Sequence, residues 1–243
     1  MPEGPSIIIL KKNIQQFKGK KVLQALGYAE IDYSELENKT VTDIKTWGKH
    51  LLICFKKVTV RIHLMLFGSY IINKHTSRKV KFGLEFNSGN VNFYACRVDL
   101  LHEDIDTIYD WTADIMSDAW SNANAKKKLK QFPETIIADA LMDQHIFSGV
   151  GNIIKNEIMW RARVHPQTKV GNLPLKKMNE IIKEARLYSF EFLEQKQANT
   201  LSKHWNVYSK KMCPRCKIPL HKEYLGKAKR RSFYCENCQV KYE

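Results

Sequence analysis

Four cysteines near the C-terminus follow the pattern C-x2-C-x18-C-x2-C, as CPRC at 213–216 and CENC at 235–238. Two Cys-x-x-Cys turns place four thiolates at the corners of a tetrahedron, and a closed all-sulfur set suits one Zn²⁺ in a structural role. Cys213, Cys216, Cys235 and Cys238 are the expected ligands; rubredoxin-like iron and a chance pairing are the alternatives the spacing leaves open. At the other end the chain begins MPEGPS, with an imino acid and a carboxylate where most chains fray. On these residues alone, Pro2 and Glu3 read as a disposable tip. The third candidate is SGVGN at 148–152. Gly149 and Gly151 permit close backbone approach, and Asn152 stands where a helix N-terminus exposes unpaired N–H groups. Taken alone, that stretch reads better as a plain turn between packed helices.

The elements that must position these residues change in texture along the chain. Ile7, Leu10, Ile14 and Phe17 share one helical face, after Ser6 as N-cap and before Gly19 as the stop. Residues 20–101 break into short apolar or alternating runs punctuated by turns such as NSGN at 87–90, which predicts a β-rich sandwich or barrel. An acidic connection follows, and helical periods run from Glu134 to about Gln197 in ETIIADALMDQ, NIIKNEIMWRARV and LKKMNEIIKEARLYSFEFLEQ. The last 38 residues read as a separate hairpin with KIPLHKEYL and RSFY as strands and GKAKRR, residues 226–231, as its tip. So small a unit buries too little apolar surface to fold without its metal.

Charge points to the partner. Forty Lys and Arg against 25 Asp and Glu give a net charge of +15, spread along the chain, which suits a polyanion, nucleic acid before an anionic membrane. No apolar run approaches the roughly 20 residues of a membrane span, and the N-terminus lacks the pattern of a secretion signal. The cysteine usage fits a reducing compartment. The expectation is a cytoplasmic, nucleoid-associated protein, and a monomer, because no long amphipathic seam is left unexplained.

PEGP, WGKHLL (47–52), HLMLFGSY (63–70), DQHIFSGVGNIIKNEIMW (143–160) and RRSFYCENCQ (230–239) occur in an order that resembles the formamidopyrimidine-DNA glycosylase and endonuclease VIII family of base-excision repair enzymes. The resemblance covers nearly the whole chain. It implies an α+β multidomain fold with an N-terminal catalytic β-sandwich and N-terminal helix (1–115), a helical helix–two-turns–helix domain (116–205) and a zinc-finger β-hairpin (206–243). The partner it implies is damaged duplex DNA.

The same resemblance assigns roles. With Met1 removed, the Pro2 amine is the nucleophile. An α-amino group with a pKa near 7.8 is about 14% neutral at pH 7, against about 0.04% for a lysine. Such an amine attacks the sugar C1′, and the resulting iminium permits β/δ-elimination. Glu3 matches the carboxylate that assists proton transfers. Lys49 matches a phosphate-holding lysine beside the lesion. Asn152, next to Gly151, and Arg230 match the pair that pinches the DNA backbone, with Arg231 an additional charge. Leu66, supported by Phe67, matches the residue that fills the gap left by a flipped nucleotide, unless these side chains are ordinary core at a strand end.

Two departures bear on substrate and rate. The oxidised-purine enzymes carry an Asp-Pro-Arg-Arg-Phe-Gly segment where this chain reads YACRVDLL (94–101), and the PEGP start is closer to the endonuclease VIII branch. Oxidised pyrimidines and abasic sites are therefore expected before 8-oxoguanine and formamidopyrimidines. Ser6 stands where the family usually has a second glutamate, which leaves a catalytically silent DNA-binding protein as an alternative.

Overall fold

The N-terminal helix α1 (Gly4–Ile14) starts earlier than its periodicity predicts. Its N-cap is Glu3, and Ser6, the expected cap, is instead the third helical residue. Pro5 is tolerated because the first turn has no intrahelical acceptor for its missing N–H. Ile7, Leu10 and Ile14 are fully buried, each contributing roughly 1.5–3 kcal/mol of burial. Phe17 also packs inward, but from a 3₁₀ turn (Gln15–Phe17), stacked on Phe86 with ring centroids 4.5 Å apart. The computed structural model describes residues 2–74 and 76–243. Its chain divides into two compact units, Met1–Asp110 and Trp111–Glu243.

The first unit is a sandwich of two four-stranded antiparallel sheets. Its strands are β1 (Val22–Gly27), β2 (Asp43–Trp47), β3 (His50–Cys54), β4 (Thr59–His63), β5 (Ser69–Ile72), β6 (Phe82–Phe86), β7 (Gly89–Tyr94) and β8 (Arg97–Leu101). One sheet has the order β1-β6-β7-β5 and the other β2-β3-β4-β8. Their inner faces and α1 share one core that includes Val22, Leu51, Val60, Leu84 and Phe93. The short helix α2 (Ile105–Ile108) follows β8.

The second unit has its own core. Helix α3 (Asn122–Leu129), capped by the Ser121 side chain on the Asn124 amide, precedes α4 (Ile137–Ala140). Helices α5 (Asn152–Arg161) and α6 (Leu175–Gln197) pack together around Ile154, Ile158, Ile181 and Tyr188. Arg161 fastens the two through a bidentate bridge to Glu191 at 2.8 and 2.6 Å. The ETIIADALMDQ stretch, expected to be helical throughout, is helical only over α4. Strands β9 (His221–Leu225) and β10 (Arg230–Tyr234) form the C-terminal hairpin. Its tip is therefore residues 226–229, and Arg230 and Arg231 belong to the strand rather than to the tip. No helix among the described residues is long and apolar enough to cross a membrane.

Candidate active site and metal centre

The residues that follow Met1 are held rather than frayed. Glu3 is extended (φ −123°, ψ 172°) and fully buried. Its backbone N–H donates to Ser6 Oγ at 3.4 Å, while its side chain accepts the Ser6 amide, a reciprocal capping box. A carboxylate there also faces the positive end of the helix dipole. Pro2, half-buried, is tethered directly to this capped residue. The expected removal of Met1 concerns a residue outside those described.

Lys49 sits on a two-residue turn joining β2 to β3, closed by the Trp47–His50 pair. Gly48 takes φ +52° at the first central position, where this kind of tight hairpin favours glycine. Beneath the turn the rings of Trp47, His50 and Tyr109 pack with centroids 4.9–5.8 Å apart. The Trp47 indole N–H donates to the Asp110 carbonyl at 3.0 Å. Burial, reinforced by His63, Arg61 and Arg97, pushes the His50 pKa down to about 4. His63, opposite His50 across β3 and β4, is lowered by burial and then by Lys49 and the same arginines. Neither histidine was singled out in the sequence. Their only sequence signal was a His at each end of one strand pairing, and that is visible only once the register is known.

Leu66 and Phe67 are not core. They lie with Met65 on the turn from β4 to β5, exposed by 51% at Met65, 44% at Leu66 and 81% at Phe67. The turn is closed by Gly68 N–H on the Leu64 carbonyl at 2.7 Å, and the Met65 N–H donates to His63 Nδ1 at 3.2 Å. That bond makes Nδ1 an acceptor and so places the ring proton on Nε2. A side chain at Gly68 would put its Cβ 2.1 Å from the Leu64 oxygen, so only glycine closes this turn.

In the second unit, Gln144 shapes the SGVGN turn. Its amide donates to the Met142 and Val150 carbonyls at 2.8 and 3.1 Å and accepts the Gly149 N–H at 3.1 Å. Gly151 then caps α5 in extended conformation. Asn152 is only 5% exposed, and its Nδ2 donates to the Arg231 carbonyl at 3.0 Å. Arg230 and Arg231 are exposed at the start of β10, with Arg231 reaching the Tyr224 hydroxyl at 3.0 Å. The structure thus brings Asn152 to the strand that carries both arginines. The hairpin tip is tied down by Asp139, whose Oδ2 accepts the Lys227 N–H at 3.0 Å.

The four cysteines converge, with their Sγ atoms within 4.8 Å of one another. Tetrahedral ligand bonds of about 2.3 Å require sulfur–sulfur edges of about 3.8 Å. The Cys213–Cys238 separation is 3.8 Å. The surrounding donors suit thiolates. The Trp160 indole N–H points at Cys213 Sγ (3.4 Å), Arg215 at Cys238 Sγ (3.3 Å) and the Asn237 amide at Cys216 Sγ (3.3 Å). Burial opposes ionisation in the cluster: at Cys213 the Trp160 bond and the neighbouring backbone amides outweigh it and lower the pKa, whereas burial raises Cys235 and pushes Cys238 up to about 12. The donor set fits a single tetrahedral metal ion.

This fold is shared with solved DNA glycosylases. The complex of the Lactococcus lactis Fpg with abasic-site-containing DNA aligns with a TM-score of 0.86 at 19% identity, over 98% of this chain and 100% of that one. The sequence narrows the class. The formamidopyrimidine-DNA glycosylase N-terminal domain matches residues 1–97, and the formamidopyrimidine-DNA glycosylase H2TH domain matches residues 99–203. The chain belongs to the formamidopyrimidine-DNA glycosylase and endonuclease VIII family. It is similar to the formamidopyrimidine-DNA glycosylase of Chloroflexus aurantiacus, 24% identical over 99% of this chain and 98% of that protein. It is also similar to Endonuclease 8-like 3 of Bos taurus, 29% identical over 207 residues and 81% of this chain. It spans only 34% and 38% of the Bos taurus and Xenopus laevis Endonuclease 8-like 3 proteins.

Proposed function

We propose that this chain is a base-excision-repair DNA glycosylase with AP lyase activity, acting on oxidised pyrimidines and abasic sites in duplex DNA. The observation that carries the reading is the capped start of α1, where the residue after Pro2, Glu3, is fully buried and capped and so tethers Pro2. A freed Pro2 amine attacks C1′ of the damaged nucleotide. The C1′–N bond to the base breaks and the departing base takes up a proton; the C1′–O4′ bond then opens, O4′ takes the proton the nitrogen gives up, and nitrogen and C1′ are left joined as an iminium. Loss of a C2′ proton then expels the 3′ phosphate by β-elimination, and a second elimination releases the sugar. Glu3 moves the protons. Ser6 supports this reading over a silent binder, because its hydroxyl completes the cap of Glu3.

Lys49 on its rigid turn holds a phosphate beside the lesion, and Arg230 and Arg231 hold the backbone from the hairpin. Leu66 and Phe67, already exposed, fill the space a flipped nucleotide vacates, partly offsetting lost stacking. Cys213, Cys216, Cys235 and Cys238 hold one Zn²⁺, which supplies folding free energy to the hairpin. The preference for pyrimidines is supported by YACRVDLL. Only Ala95 and Cys96 separate β7 from β8, too short a connection to present an inserting loop, and Asp99 is bonded to Arg61 and Arg97 at 3.1 Å. The test is a panel of duplexes, each with one oxidised pyrimidine, 8-oxoguanine or abasic site, incubated with borohydride. The expected result is trapped adduct on abasic and oxidised-pyrimidine DNA and little on 8-oxoguanine. No adduct on any duplex would mean a binding protein rather than an enzyme.

A further inference from the structure

Lys155, one turn after Asn152 on α5, is 1% exposed. Burying an ammonium costs several kcal/mol unless it is well bonded. Its Nζ donates to Ser232 Oγ at 3.0 Å and to the Arg231 carbonyl at 3.4 Å, and Ser232 is itself fully buried. The same carbonyl takes the Asn152 amide at 3.0 Å and the Asn156 amide at 3.3 Å, while Asn156 Oδ1 accepts the Phe233 N–H at 2.7 Å.

In a strand, the carbonyl of one residue and the N–H two residues on point to the same edge. The Arg231 C=O and Phe233 N–H therefore lie on one edge of β10, where side chains of α5 at i, i+3 and i+4 take the place of another strand. A two-stranded ribbon is marginal by itself. Here its register against α5 is fixed by three polar side chains of one helix face, Asn152, Lys155 and Asn156.

We propose that Lys155 is a positioning residue for DNA binding: by bonding Ser232 and the Arg231 carbonyl, it sets the height of β10 along α5 and so where Arg230 and Arg231 meet the phosphate backbone. The proposal rests on the DNA reading above.

The experiment measures binding of wild type, Lys155→Met, Ser232→Ala and the double variant to abasic-site duplex across a salt series, together with zinc content and KM. Lys155→Met is expected to keep its zinc, to bind about tenfold more weakly, to lose about one unit of salt slope as a phosphate contact is lost, and to show the loss in KM. Ser232→Ala should shift the slope in the same direction, and the double variant should be no worse than the poorer single one. A full wild-type slope in Lys155→Met overturns the positioning role. So does its unfolding or loss of zinc together with an unaltered slope in Ser232→Ala. A wild-type chain with no salt-dependent affinity for DNA would instead refute the DNA reading itself.

Discussion

Glu3 and Ser6 cap each other: the Glu3 N–H donates to Ser6 Oγ at 3.4 Å, and the Glu3 side chain accepts the Ser6 amide in return. The pair turns the first residues of the chain into the fixed end of a helix whose other face is driven into the sandwich core by Ile7, Leu10 and Ile14. Pro2, the proposed nucleophile, is tethered to that end and so starts with little orientational entropy to lose.

Ser6→Ala removes one half of that cap. It should cost about 1 kcal/mol in chemical denaturation and slow single-turnover strand cleavage, and Ser6→Glu, a longer acceptor at the same helical position, should restore both.

Glu3→Gln keeps the shape and removes the group proposed to move the protons. Base release should fall by about a hundredfold or more, while affinity for abasic-site duplex is unchanged. Unchanged base release would show that another group carries the proton.

Leu66→Ala and Phe67→Ala act on side chains that are exposed in the chain. Unfolding free energy should move by less than about 0.5 kcal/mol. The readout is extrusion of the lesion nucleotide, followed by the fluorescence of an adjacent base analogue, which should fall with each substitution.

His50 gives the β-sandwich a pH dependence. The unfolded side chain takes up a proton near its ordinary value of 6.5, but the folded one does so only at about 4, because burial first and then His63, Arg61 and Arg97 disfavour the cation. The folded state binds fewer protons across that window. Stability is therefore complete above the unfolded pKa and is lost as pH falls toward the folded one, by about 3 kcal/mol at most. His50→Phe should flatten this acid limb in urea unfolding curves recorded across the same window.

Metal removal should act on the hairpin and leave the β-sandwich folded. A chelator should release the hairpin and abolish DNA binding, while amides of β1 to β8 keep their protection in hydrogen exchange.

What was legible in the sequence was local. The two Cys-x-x-Cys knuckles, the alternating strand runs and the long period of α6 each announce themselves within a few residues. Helix α3 did not, because NANAKKKL buries only Ala125 and Leu129 and depends on its Ser121 cap. The start of α1 was misplaced because Glu is a poor N-cap by type, and here Ser6 supports it from the third helical position. The site's remaining residues are tertiary. His50 meets His63 only through strand register. Lys155 carries no local signal, and only the fold brings it to Ser232, far away in sequence.

The central claim concerns one atom, the nitrogen of Pro2. Borohydride-trapped complex with abasic DNA should be digested and the cross-linked peptide sequenced by mass spectrometry. The account predicts the deoxyribose remnant on a Pro2 amine exposed by loss of Met1. A remnant on a lysine side chain, or full trapping by chains that retain Met1, would contradict it.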